Sequence, residues 1–136
     1  MRVLVLSNVL ILFAIAAVPA LAASDPKLAE PTFADLLARA KRDMSTEKGA
    51  AYDTVMGQQF ASKHADTASA CVAASGISAP ISFKAIVVVA KDGKVTKVAV
   101  DPETDVARCL RKVLLEEAFP KPPFAPFHYL MEMSFK

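Results

Sequence analysis

Residues 81–100 read ISFKAIVVVAKDGKVTKVAV, and this stretch decides the fold. Ile81 to Ala90 is dense in β-branched residues, which predicts a strand. Its centre, Ile86-Val87-Val88-Val89, is apolar without alternation, which suits a central or doubly covered strand. Lys91-Asp92-Gly93-Lys94 follows, and an Asp-Gly pair between two β-patterned runs is a hairpin signature. Val95 to Val100 is the return strand, with Thr96, Val98 and Val100 on one face and Lys97 on the other.

Toward the C-terminus, Asp101-Pro102-Glu103 ends the hairpin and Thr104 can cap a helix. Val106, Cys109, Leu110, Val113 and Leu114 form its apolar stripe, and Arg108, Arg111 and Lys112 its solvated side. Phe119-Pro120 stops it. Residues 120–126 hold four prolines and read as a stiff, extended connector. In the last ten residues Phe127, Tyr129, Met131, Met133 and Phe135 alternate with His128, Leu130, Glu132, Ser134 and Lys136, the period of a half-buried strand. A helix between the second and third strands returns the chain to its starting end. The third strand then pairs most simply antiparallel to the first, in the order 2-1-3, which leaves the last strand at an edge.

Toward the N-terminus the pattern becomes helical. Thr32 with Asp35 is a weak capping box, and Phe33, Leu36, Leu37, Ala40 and Met44 recur at helical spacing up to Ser45. Arg39, Lys41 and Arg42 fall mostly on the other side. A second helix starts at Thr46, carries Tyr52, Met56, Phe60, His64, Ala68 and Cys71 on one face, and ends before Ser75-Gly76, where glycine suits a C-terminal cap. The order is α-α-β-β-α-β, an α+β domain with a three-stranded antiparallel sheet.

The chain begins with the parts of an export signal. Arg2 supplies the positive start, Val3 to Val18 the apolar run, and Ala20-Leu21-Ala22 a cleavage site. Residues 1–22 are expected to be removed, with the product in the periplasm; the run is short for an uncleaved membrane anchor. Residues 23–31 read as a flexible lead. About 110 residues remain for one domain, 32–136, divided into a helical part, 32–74, and a ββαβ part, 75–136. The net charge of +2, with Lys and Arg scattered among acids, excludes a nucleic-acid footprint. Nothing after the export segment predicts membrane insertion.

Two cysteines, Cys71 and Cys109, in an oxidising compartment read as a disulfide. Two free buried thiols, or a zinc site completed by His64 and His128, are the weaker alternatives, since no standard ligand spacing is present. His64, on an apolar helix face, reads as a satisfied core histidine, and His128 as a solvated one. Glu116-Glu117 and Asp101 with Glu103 read as solvated charge. The chain has no nucleophile elbow, phosphate loop or glycine-rich cofactor fingerprint. Met131 and Met133, on one strand face, are better core filler than copper ligands. The expectation is a protein that is not an enzyme, with no cofactor and no metal.

From Cys71 onward the chain resembles the C-terminal domain of TonB, and more closely the TonB-like AgmX/PglI C-terminal domains. The matching features are Cys71 ahead of a strand, then Asp92-Gly93-Lys94-Val95 with Val98 and Val100. After them come Thr104, Val106, Cys109, Leu110, the Phe119-Pro120 pair and an aromatic-rich last strand ending at Phe135. The resemblance covers about residues 71–136. A long Pro-rich spacer is missing, and residues 32–74 have no counterpart. It implies a small sheet with a helix packed on it and partner binding at the exposed edge of the last strand. The expectation is therefore a periplasmic binding or adapter domain that meets an envelope or periplasmic protein by strand addition at His128, Leu130, Glu132 and Ser134. The rival expectation is an inhibitor or immunity protein against a toxin or cell-wall hydrolase.

Overall fold

The structure, a computed structural model, describes residues 29–136; the expected export segment, 1–22, and most of the expected lead, 23–31, lie outside the described residues. Helix α1 spans Phe33–Met44 and starts on a complete capping box. Thr32 Oγ1 accepts the Asp35 N–H, and Asp35 Oδ2 accepts the Thr32 N–H at 2.9 Å. Helix α2, Glu47–Ser75, starts at Thr46, whose hydroxyl accepts the Gly49 N–H, and ends at Gly76 in the left-handed region, φ 65°. Strand β1 is Ile81–Val89 and β2 is Val95–Asp101. Helix α3, Asp105–Leu115, is capped by Thr104, and β3 is Phe127–Phe135.

The sheet order is β2-β1-β3, with both pairings antiparallel. Val87 at the centre faces Val98 on one side and Tyr129 on the other. A bulge separates Val88 from Val89 against β2, and the Thr96 hydroxyl donates to the Val88 carbonyl there.

Successive side chains on a strand point to opposite faces, and here both faces of β1 are covered. Phe83, Ala85, Val87 and Val89 pack with Phe127, Tyr129 and Met131 of β3 under α2 and α3, which contribute Met56, Phe60, Val106, Leu110 and Leu114. Ile86 and Val88 point the other way, onto Leu36 and Ala40 of α1, with Leu130 at the margin. The molecule is thus layered: α1, the sheet, then α2 with α3. The apolar run at Ile86–Val89 matches its place, buried on both faces.

One expectation is corrected. Strand β3 is not half-buried along its length. Phe127, His128 and Tyr129 are all buried, because the end of α1 lies over the second face of its first half.

The proline-rich connector is tied down where it starts. The Phe119 N–H donates to the Gly93 carbonyl at 2.9 Å, and Tyr52 donates its hydroxyl to the Pro120 carbonyl. Burial pushes the Tyr52 phenol up to about 12. Cys71 of α2 and Cys109 of α3 are bonded to each other, with Cα atoms 5.8 Å apart, which removes both the free-thiol and the zinc alternatives.

Candidate functional site: the outer edge of the last strand

Strand β3 lies at an edge of the sheet. In an antiparallel pair, alternate residues turn both backbone groups toward the neighbouring strand and the rest turn them outward. The N–H groups of His128 and Leu130 point outward, since each meets an acceptor on α1. His128 N–H donates to Asp43 Oδ2 at 3.0 Å, and Leu130 N–H donates to Met44 Sδ at 3.2 Å. The last residues of α1 therefore occupy the place of a fourth strand along the first half of the edge.

Glu132 and Ser134 follow in the same outward set. Both are exposed, and neither backbone N–H has a side-chain acceptor among the described residues. Two recesses border this open half. One, of about 320 Å³, runs along the edge from Tyr129 to Phe135 with Phe60 as a wall. The other, of about 680 Å³, lies on the opposite face, between Phe33 and Leu37 of α1 and a floor of Ser82, Lys84, Glu132 and Ser134. Lys84 and Glu132 pair across β1 and β3 at 3.2 Å.

Of the four edge residues named from sequence, the structure keeps Glu132 and Ser134 accessible and closes His128 and Leu130. His128 is the larger correction. Its side chain is 8% exposed, and its Nδ1 lies 2.8 Å from Asp43 Oδ2, so it is a buried, paired group and not a solvated one. The partner that sequence reasoning missed is Asp43. It lies seven residues after Leu36, on the same helical face, so a charge stands at a position of the apolar stripe. Such a placement calls for a specific partner.

The second histidine is satisfied, as expected, though by a group misread from sequence. His64 Nε2 meets Glu117 Oε2, and Glu117 Oε1 takes Gln59 Nε2 at 2.9 Å and Lys63 Nζ at 3.2 Å. Glu117 is a covered carboxylate, its side chain 7% exposed, where solvated charge was expected. Burial pushes its carboxyl up, but the hydrogen bonds from His64, Lys63 and Gln59 outweigh burial and hold it below its ordinary value. Glu103 pairs with Arg111. Met56 is fully buried and Met131 nearly so, both in the larger core. Among the described residues no three His, Cys, Asp or Glu side chains gather as metal ligands, and no helix is long and apolar enough to cross a membrane.

Taken together, the fold and this edge define a disulfide-stapled α+β domain whose sheet is closed along half of its last strand and open along the rest. Compared with known proteins, the chain matches no family model, no curated protein and no solved structure.

Proposed function

We propose that this domain is a non-catalytic binding or adapter module of the periplasm. It takes up an extended segment of an envelope protein as an added strand against Glu132–Phe135. The observation that carries the reading is the contrast along one edge: outward N–H groups met by Asp43 and Met44 in the first half, and left to solvent at Glu132 and Ser134. An open edge is a ready template for another chain, and strand addition draws its affinity from those backbone groups. The resemblance to TonB C-terminal domains supports the same reading.

The faces beside the edge set the partner's pattern. Phe60, Met131, Met133 and Phe135 border one side and call for apolar residues at alternate positions of the added strand. Glu132, Lys84 and Ser134 border the other and favour polar ones.

The test uses Ser134→Pro, which removes one outward donor without touching the bonds to β1. The wild-type protein is expected to capture an envelope partner that the folded variant loses, and amide exchange at Glu132 and Ser134 is expected to slow in the complex. A partner held equally by both proteins, with unchanged exchange at these amides, would overturn the reading. If the captured partner is a hydrolase that loses activity in stoichiometric proportion, the module is an inhibitor acting through the same edge.

A further inference from the structure

The recess between α1 and the start of β3 holds donors that the binding edge does not use. It measures about 600 Å³ and is lined by Arg39, Arg42 and Asp43 on one side and by Pro126 and His128 on the other. Asp43 holds the His128 ring by Nδ1, with the ring more than nine-tenths buried. The other ring nitrogen, Nε2, has no hydrogen-bond partner among the described residues. Yet among those residues no fully buried side-chain nitrogen or oxygen lacks one. Nε2 is therefore not fully enclosed, and His128 lines the recess.

Two arginines line the same recess, one turn apart on α1. Arg108 and Arg111 each sit on a carboxylate, of Asp105 and Glu103. Arg39 and Arg42 form no ion pair among the described residues, although they share the recess with two aspartates. Each aspartate has one oxygen engaged elsewhere, and the Thr32 hydrogen bonds, with a smaller part from the Arg39 charge, hold the Asp35 carboxyl below its ordinary value. Asp43 Oδ2 accepts the backbone and ring donors of His128, and Asp35 Oδ2 accepts the Thr32 N–H and hydroxyl.

We propose that this recess binds a small phosphate-bearing molecule, with Arg39 and Arg42 on the phosphate oxygens and His128 Nε2 as the third contact. Guanidinium groups match the geometry of phosphate oxygens and hydrogen-bond them strongly. A phosphate also suits either form of the ring: its oxygens accept from a protonated Nε2, and a phosphate that retains a proton donates it to a bare one. Asp43 supplies the fixed orientation that a loose surface histidine lacks.

The experiment is a titration of the purified protein with inorganic phosphate at fixed pH, followed by the ring resonances of its two histidines. Sodium chloride at matched ionic strength is the control. The expected result is a saturable shift at His128, none at His64, and affinity weakened by about tenfold or more in the Arg39→Gln/Arg42→Gln double variant. Both arginines are exposed, so the variant keeps the fold, which circular dichroism checks. A response that does not saturate, that is equal at both histidines, or that survives the double substitution would overturn the site. The outcome does not depend on whether β3 accepts a strand.

Discussion

Two glycines with positive φ show how differently one residue type can be constrained. Gly76, at φ 65°, ends α2 in open space, whereas a Cβ at Gly93, at φ 90°, would stand 2.0 Å from the Phe119 carbonyl oxygen. Gly76→Ala is expected to cost about 1 kcal/mol, for the left-handed backbone alone. Gly93→Ala carries that strain and also forces Phe119 off the hairpin, for about 2–3 kcal/mol. Urea unfolding of the two variants, with midpoints compared at unchanged slope, checks the order. The turn at Gly93 was legible, because Asp-Gly between two strand-like runs is a local pattern. Its second duty was not, since Phe119 arrives from the far end of α3. Gly49 is similar: a Cβ there would lie 1.9 Å from the Asp43 carbonyl oxygen, at the corner where α1 meets α2. Asp43 itself was within reach, because its spacing from Leu36 places a charge on an apolar stripe.

Elements are joined here by few polar links, so each link is testable. Glu117 ties the middle of α2 to the segment that follows α3, through Gln59, Lys63 and His64. Glu117→Gln is expected to lose about 1–2 kcal/mol near neutral pH, where the wild-type carboxylate accepts charged or strongly polar donors. Its carboxyl is held below its ordinary value of 4.5 in the folded protein. The advantage over the Gln variant is therefore full above about pH 4.5 and fades as pH falls through the lowered folded value. Melting temperatures of both proteins across the acid range check this; a gap that stays constant with pH would show that the carboxylate's charge plays no part. The helices themselves were readable from caps, since Thr32, Thr46 and Thr104 each accept the N–H three residues on. The face taken by each helix was not readable to the same degree. Helix α1 carries an apolar stripe that would suit either side of the sheet, and only the packed structure puts Leu36 and Ala40 on Ile86 and Val88.

At the scale of the whole molecule, the disulfide joins the two helices of one layer across 38 residues of chain. The loop it closes includes the β1–β2 hairpin, so it limits the freedom of the unfolded chain over much of the ββαβ part. Chain-entropy arguments assign such a loop about 4 kcal/mol, a large share of a small domain's stability. The Cys71→Ala/Cys109→Ala variant is expected to unfold at a clearly lower denaturant concentration, and the denatured wild type to show no titratable thiol. Two thiols would refute the bond, and an unchanged midpoint would refute its stabilising role. The pairing was legible because two cysteines in a chain read as exported leave few options. The sheet order was legible too, because a helix between the second and third strands returns the chain to the end where the first strand is the simplest antiparallel neighbour.

By itself the sequence determined the six elements, their order, the doubly covered central strand, the disulfide and the edge position of β3. All of these follow from periodicities, caps, turn pairs and connection lengths that act over a few residues or along the chain. Only the tertiary structure decided how much of that edge is open. The closure depends on Asp43 meeting a backbone N–H and a ring nitrogen of His128, 85 residues away, and on Met44 meeting Leu130 beside it. No local pattern carries that meeting; it exists because α1 packs on the sheet face opposite α2 and α3 and ends where β3 begins.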